Sequence, residues 1–482
     1  MKPSGIIGFI LACGILALSL SSCGLIVINY PKDADGADSD TAFTETNETE
    51  NAGYEKTEKD YSKEAAARLG ALEGADYGGA VVKIASTVSF LTDKEDAPQI
   101  VSPAVADRNA AVEEKYGVSL YTADVDSAQL FAELSSSAKS GMYYADMITV
   151  PQNSLVSYIA SGLLFNLRSL PKMNLGADYF NASSVEAAGA GYGTYAVAGE
   201  ATYTPYSLPA VFFSTERLSA LGLELPYGKA AAGTWTWEEF YNYLTEVDAE
   251  KYAPLCTGAS GDIAVDGAYF SVGGRFMSAG AMKYPTVSIT EEEGTRLVGL
   301  IADAFLCEGS LTGENGGVGA FESSAVFMTD TLDTLDTLAS TSMKWGIVPM
   351  PKADSSQSSY ISLATSSSAF FAVPSVLNSD ERTSLVLQAI FASSYGSVRE
   401  AFIGYTQNSM LCDNGSANML ELITGDIRYD FTYTVSSMYE EAAAATSYAV
   451  RNAVFGTADL GASLRGAVPR CESAMAAAFP MR

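Results

Sequence analysis

Val211-Phe212-Phe213-Ser214-Thr215-Glu216, Leu218-Ser219-Ala220-Leu221-Gly222-Leu223, Pro226-Tyr227 and Gly233-Thr234-Trp235-Thr236-Trp237-Glu238-Glu239-Phe240 are read in order along residues 211–240. The apolar, β-forming start predicts a strand over Ala210–Ser214. Thr236 reads as a helix N-cap, with Glu239 as its reciprocal partner three residues on. Trp235 stands just before the cap, where an apolar side chain staples the helix entry. The first role assigned to both tryptophans is therefore packing.

Outward from this stretch the chain alternates strands and helices. Val81–Ala85, Val118–Thr122 and Met147–Val150 are predicted strands, the last closed by Pro151. Between them, Val105, Val112 and Tyr116 share a helix face that stops at Gly117. Asp126 opens another helix with Gln129 in the capping-box position, and Leu130, Phe131, Leu134 and Ala138 line one face of it. Later, Phe240, Leu244 and Val247 stripe one helix, and Leu297, Leu300, Ile301, Ala304 and Phe305 another. Ala325–Met328, Gly346–Val348 and Ala369–Val373 are further strands. This order predicts α/β layers with largely parallel sheets.

Length and composition narrow the function. At roughly 150 residues per domain, 482 residues suggest two or three domains. The chain carries 57 acidic and 28 basic residues, a formal net charge of -29, which argues against nucleic acid as a partner. A hydrophobic share of 48% leaves ample material for a core. There is no histidine, so Ser–His–Asp and Cys–His nucleophile systems and HExxH zinc sites are excluded. Carboxylate-only enzymes pass this test. No cofactor or metal site is expected.

Residues 1–22 read as a secretory signal: Met1 and Lys2 precede an apolar run from Ile6 to Leu20. Leu20-Ser21-Ser22-Cys23 looks like a bacterial lipobox in which Cys23 is lipidated. Leu25-Ile26-Val27-Ile28 prolong the run to roughly the 20 residues that span a bilayer, so an uncleaved anchor stays open. Either way the chain is tethered outside a cell membrane. From Pro31 to about Lys63 the chain is polar and acidic, and residues 23–64 are expected to form a lipid-anchored, disordered linker. Four cysteines remain, Cys256, Cys307, Cys412 and Cys471. They contain no CxxC pair and allow either disulfides or buried free thiols.

The 211–240 stretch resembles the family 1 extracellular solute-binding proteins of ABC importers, the group that includes maltose-binding proteins. Asp107-Arg108-Asn109 through Glu113-Glu114-Lys115-Tyr116-Gly117-Val118, then Tyr144-Ala145-Asp146-Met147-Ile148, are similar to early segments of that family. So are Gly162-Leu163-Leu164-Phe165-Asn166-Leu167 and Trp345-Gly346-Ile347-Val348-Pro349-Met350-Pro351-Lys352. Two departures stand out. Ser214-Thr215 replaces the usual Asn-Lys, and Thr329-Asp330-Thr331-Leu332-Asp333 replaces a tryptophan-containing turn, so a sugar-stacking aromatic must come from elsewhere.

The resemblance implies a two-lobed, hinged, periplasmic-binding-protein-like fold. Residues 65–200 plus 331–377 would form the N-terminal lobe, and 201–330 plus 378–482 the C-terminal lobe. It implies a monomer that closes on a small-molecule solute, a sugar above all, and delivers it to ABC permease subunits. Its place would be the outer face of the cytoplasmic membrane, held by lipidated Cys23, or the periplasm where the host has an outer membrane. Candidate ligand contacts are Thr87, Phe90, Gln152 and Asn153 from the first lobe and Tyr203 and Tyr206 near the crossing. Asp262, Tyr269 and Asp330 are chosen from the second lobe. Asp330 and Asp333 could form an acid–base pair for glycoside cleavage, but their spacing suits a helix cap better. A surface-tethered carbohydrate-active enzyme and a non-transporting sensor or adhesin are the competing readings.

Overall fold

Two mixed sheets organise the chain, and each is built from strands far apart in sequence. The computed structural model describes residues 61–87, 102–202, 205–258, 261–411 and 413–479. The expected signal peptide, Cys23, the linker up to residue 60, Phe90, Tyr203 and Cys412 lie outside these residues.

The chain order opens with α1 (Tyr61–Ala71), β1 (Ala80–Ser86), α2 (Ser102–Tyr116), β2 (Val118–Asp124), α3 (Ser127–Ser140), β3 (Met147–Pro151) and β4 (Ala196–Val197). It continues with β5 (Pro209–Ser214), α4 (Trp237–Thr245), β6 (Ala253–Thr257), α5 (Gly261–Ser271), α6 (Glu291–Phe305) and β7 (Ala325–Thr331). Next come β8 (Trp345–Pro349), β9 (Ala369–Ala372), α7 (Asp380–Ser394) and α8 (Ser397–Ser409). The closing segment includes α9 (Phe431–Val435) and α10 (Ser447–Val454).

The first sheet has the order β2-β1-β3-β9-β4 and the second β8-β5-β7-β6. Period-two alternation sends the side chains of β3 to opposite faces. Met147 joins Val82, Val112 and Tyr116 on one side, while Ile148 and Val150 join Leu130 and Leu134 on the other. The second sheet is buried throughout, with Val211 in register between Val348 and Thr329.

The sheets are mixed rather than largely parallel. β9 runs antiparallel to β3, and β5 runs antiparallel to both β7 and β8. β5 and β9 are interior strands, each antiparallel to both of its neighbours.

The lobe composition also differs from the expected boundaries at two places. β8 pairs with β5 in the second sheet, where Trp345 packs on Phe212 with ring centroids 6.2 Å apart. α7 belongs to the first sheet's core through Leu385, Leu387, Ile390 and Phe391. Every residue of α7 from Thr383 to Ser394 is buried, so this helix has no solvent face for a hydropathy pattern to reveal. The next helix, α8, contributes Val398, Phe402 and Ile403 to the second core.

Residues 61–64, expected in the linker, open α1 instead. Ala65 and Leu69 are buried one helical turn apart, Arg68 is bound to Asp178 at 2.8 Å, and Tyr61 accepts a hydrogen bond from Arg399 at 3.1 Å.

The cap read from sequence is present in part. Thr236 accepts the Glu239 backbone N–H at 3.2 Å, and Trp235 packs on Phe240 with centroids 5.4 Å apart, as a hydrophobic staple. The Glu239 carboxylate pairs with Lys229 at 2.7 Å rather than folding back on the cap. Cys256, Cys307 and Cys471 are free thiols, and burial pushes the Cys256 thiol up to about 12. None of the described helices is long and apolar enough to cross a membrane.

Candidate functional site

Beyond the carboxyl ends of β3 and β6 lies a cleft of about 830 Å³. Open α/β sheets place ligand sites at this end of their strands.

One wall comes from the first sheet. Gln152 and Asn153 leave β3 with their backbone N–H groups donated to Ser368 and Ser366, at 2.9 and 3.0 Å. These bonds fix the turn, and Asn153 and Ser366 both line the cleft. Ser437, from the facing segment, donates its hydroxyl to the Asn153 carbonyl at 2.6 Å.

The facing wall starts where β6 ends, at Thr257 and Gly258. Gly258 has no side chain because the Asp330 carboxylate fills the space a Cβ would take. Thr257 is buried, and its hydroxyl has no hydrogen-bond partner among the described residues. An unpaired buried hydroxyl costs free energy, so this one is available for a ligand or a water.

Asp262 on α5 and Tyr433, Glu440, Tyr448 and Arg451 from the closing segment complete the wall. Arg451 is the only cation among the described lining residues. Its Nε and Nη2 donate to the two oxygens of Asp266 at 2.9 and 2.6 Å, and its Nη1 donates to Asp262 at 2.8 Å. Tyr433 donates its hydroxyl to Asp266 at 2.6 Å. Burial alone would lower the Arg451 pKa, but the Asp266 carboxylate outweighs it and holds the guanidinium above the ordinary arginine value. Tyr448 presents a 45% exposed ring, with the Arg451 guanidinium 5.7 Å from its centroid. It presents an aromatic face to the cleft.

Of the residues expected to touch a ligand, the structure brings Asn153 and Asp262 to this cleft. Asp330 stands one layer behind it. Its Oδ1 accepts the Thr331 N–H at 2.8 Å and its Oδ2 the Thr334 hydroxyl at 2.9 Å, which ties it to the short turn 332–334. Gln152 is a fully buried strut whose Nε2 donates to the Asp430 carbonyl at 2.8 Å and to Thr434 at 3.0 Å. Thr87 turns its hydroxyl onto the Thr149 carbonyl at 2.9 Å.

Tyr206 and Tyr269 are not among the residues that line this cleft. Tyr206 packs edge-on against Phe402 at the margin of the second core, and Tyr269 stacks on Phe276 within it, 5.4 Å between centroids. Both rings spend their area on core packing rather than on the cleft. Sequence reasoning missed Arg451, Glu440, Tyr448 and the hydroxyls of Thr257, Thr312, Ser366, Ser436 and Ser447. The available signal was the four-residue spacing of Asp262 and Asp266 on one helix face.

No protein-family model matches the chain, and no curated protein does. Among solved structures, it is similar to the cyclic α-maltosyl-1,6-maltose binding protein of Arthrobacter globiformis. The TM-score is 0.53 at 13% identity, covering 83% of this chain and 99% of that one. It is equally similar to a family 1 extracellular solute-binding protein from Bifidobacterium longum subsp. infantis, with TM-score 0.53, 12% identity and coverage of 82% and 99%. The bacterial solute receptor AcbH, described with an exclusive preference for β-D-galactopyranose, gives 0.51 at 12% identity and 83% and 99% coverage. The chain has the two-lobed α/β fold of these solute-binding proteins.

Proposed function

We propose that this chain is an extracellular solute-binding protein that captures a mono- or oligosaccharide by lobe closure and delivers it to the permease of an ABC importer. The observation that carries the reading is the cleft at the ends of β3 and β6. Hydroxyls, carboxylates and one open tyrosine face converge there, in a fold shared with sugar-binding proteins. Ligand bound to both walls would favour the closed arrangement over the open one by its differential affinity.

The chain makes and breaks no bond in this reading. Asp330 and Asp333 suit it, because both are taken up in the turn. Asp330 holds Thr331 and Thr334, and the Asp333 carboxylate accepts the Thr331 hydroxyl. Lipidation at Cys23, the outer membrane face and a monomeric state belong to the same proposal, supported by the sequence of residues 1–23 and by the extracellular members of the fold.

A thermal-shift screen against mono- and oligosaccharides and peptides tests it. A sugar at 100 times its Kd should stabilise the protein by about 2.7 kcal/mol. Hits confined to one sugar class are expected. Hits only among peptides, or none at all, would sink the carbohydrate reading.

A further inference from the structure

We infer that the cleft selects against anionic ligands, with Asp262 and Glu440 as the residues that set this preference. The inference rests on the solute-binding reading and adds the charge class of the solute.

Three carboxylates, Asp262, Asp266 and Glu440, stand at or directly behind the wall against one guanidinium, a formal surplus of two negative charges. The cation cannot redress this balance. All three Arg451 nitrogens already donate to carboxylates, and Asp266 and Tyr433 hold the group in place from the buried side. An incoming carboxylate, sulfate or phosphate would therefore have to break an existing ion pair to find a positive partner. Asp262, whose side chain is 76% exposed, and exposed Glu440 would repel it on the way in. A neutral polyol meets no such penalty. Its hydroxyls can donate to those two carboxylates, and the partnerless Thr257 hydroxyl provides a further neutral contact. An amino sugar would add a favourable charge.

The geometry thus assigns an uncharged or amine-bearing saccharide as cargo and excludes uronates, sialylated, sulfated and phosphorylated sugars. A glycan array carrying neutral, glucosamine-containing and uronate, sulfated or sialylated oligosaccharides, probed with the full chain, tests this. Titration of the best hit and its uronate analogue follows. Hits should fall in the neutral and amino classes, with at least tenfold preference over the uronate analogue. Asp262→Asn combined with Glu440→Gln should narrow that preference by about tenfold. The single variant Glu440→Gln, in an exposed side chain, should narrow it in the same direction and covers the case in which the double variant does not fold.

Tightest binding of an anionic glycan would overturn the inference and leave the solute-binding reading standing. A preference unchanged in the variants would overturn the assignment to Asp262 and Glu440. If no oligosaccharide of any class bound, the carbohydrate reading itself would fail and take this inference with it.

Discussion

Asp330 occupies the space that a side chain on Gly258 would need, so the cleft wall at the end of β6 lies directly on a buried carboxylate. Asp330 cannot swing away, since Thr331 and Thr334 hold both its oxygens. Gly258→Ala should therefore destabilise the protein by about 1–3 kcal/mol through overpacking. Chemical denaturation of the single variants and of Gly258→Ala with Asp330→Ala checks this. The double variant should recover part of the loss, because the two sites are in contact. Strict additivity would show that the wall relaxes without involving Asp330.

Much of this fold was legible in local sequence, and the cleft mostly was not. Strands such as Met147–Pro151 and Pro209–Ser214 announce themselves by apolar runs closed by proline or polar turns, and the Thr236 cap by its neighbours. Strand direction and lobe membership depend on where the chain crosses between sheets, which no local pattern encodes. β8 sits in the second sheet and α7 against the first for that reason. The Arg451–Asp266 pair joins residues 185 apart. Tyr269 and Tyr448 are the same residue type in helical surroundings, yet one is core and the other cleft. Burial against a distant element made that distinction.

The stapled entry to α4 gives two separable predictions. Trp235 is fully buried, donates its indole N–H to the Pro349 carbonyl at 2.9 Å, and packs on Phe240 and Tyr243. Trp235→Ala should cost about 3–5 kcal/mol in urea unfolding. Thr236→Ala removes only the cap bond to Glu239 and should cost about 1 kcal/mol. Equal losses would mean that the tryptophan packs no better than the cap bonds.

Asp430 makes stability depend on pH. It is 2% exposed, and burial pushes its carboxyl up to about 6, against the opposing pull of backbone N–H groups from Thr432, Met277 and Phe276. The folded protein holds this proton more tightly than the unfolded chain does. The resulting stabilisation is complete below about pH 3.8 and is lost as pH rises through about 6. Relative to Asp430→Asn, the wild type should lose about 2 kcal/mol between pH 4 and pH 7. Denaturation at several pH values reads that difference directly. A constant offset between the two proteins would show that the carboxyl titrates alike in both states.

Arg451 separates a structural role from a ligand-facing one within a single side chain. On its inner side, Asp266 is fully buried, and removing the guanidinium would leave that carboxylate without its ionic partner. Arg451→Ala should therefore destabilise by about 3–5 kcal/mol. On its outer side, Asp262 is largely in solvent, and an exposed pair of this kind contributes about 0–1 kcal/mol. Asp262→Asn should leave the melting temperature nearly unchanged while altering sugar affinity in titration calorimetry. If Asp262→Asn were as destabilising as Arg451→Ala, the outer ion pair would be part of the scaffold, and Asp262 would lose its claim to face the ligand.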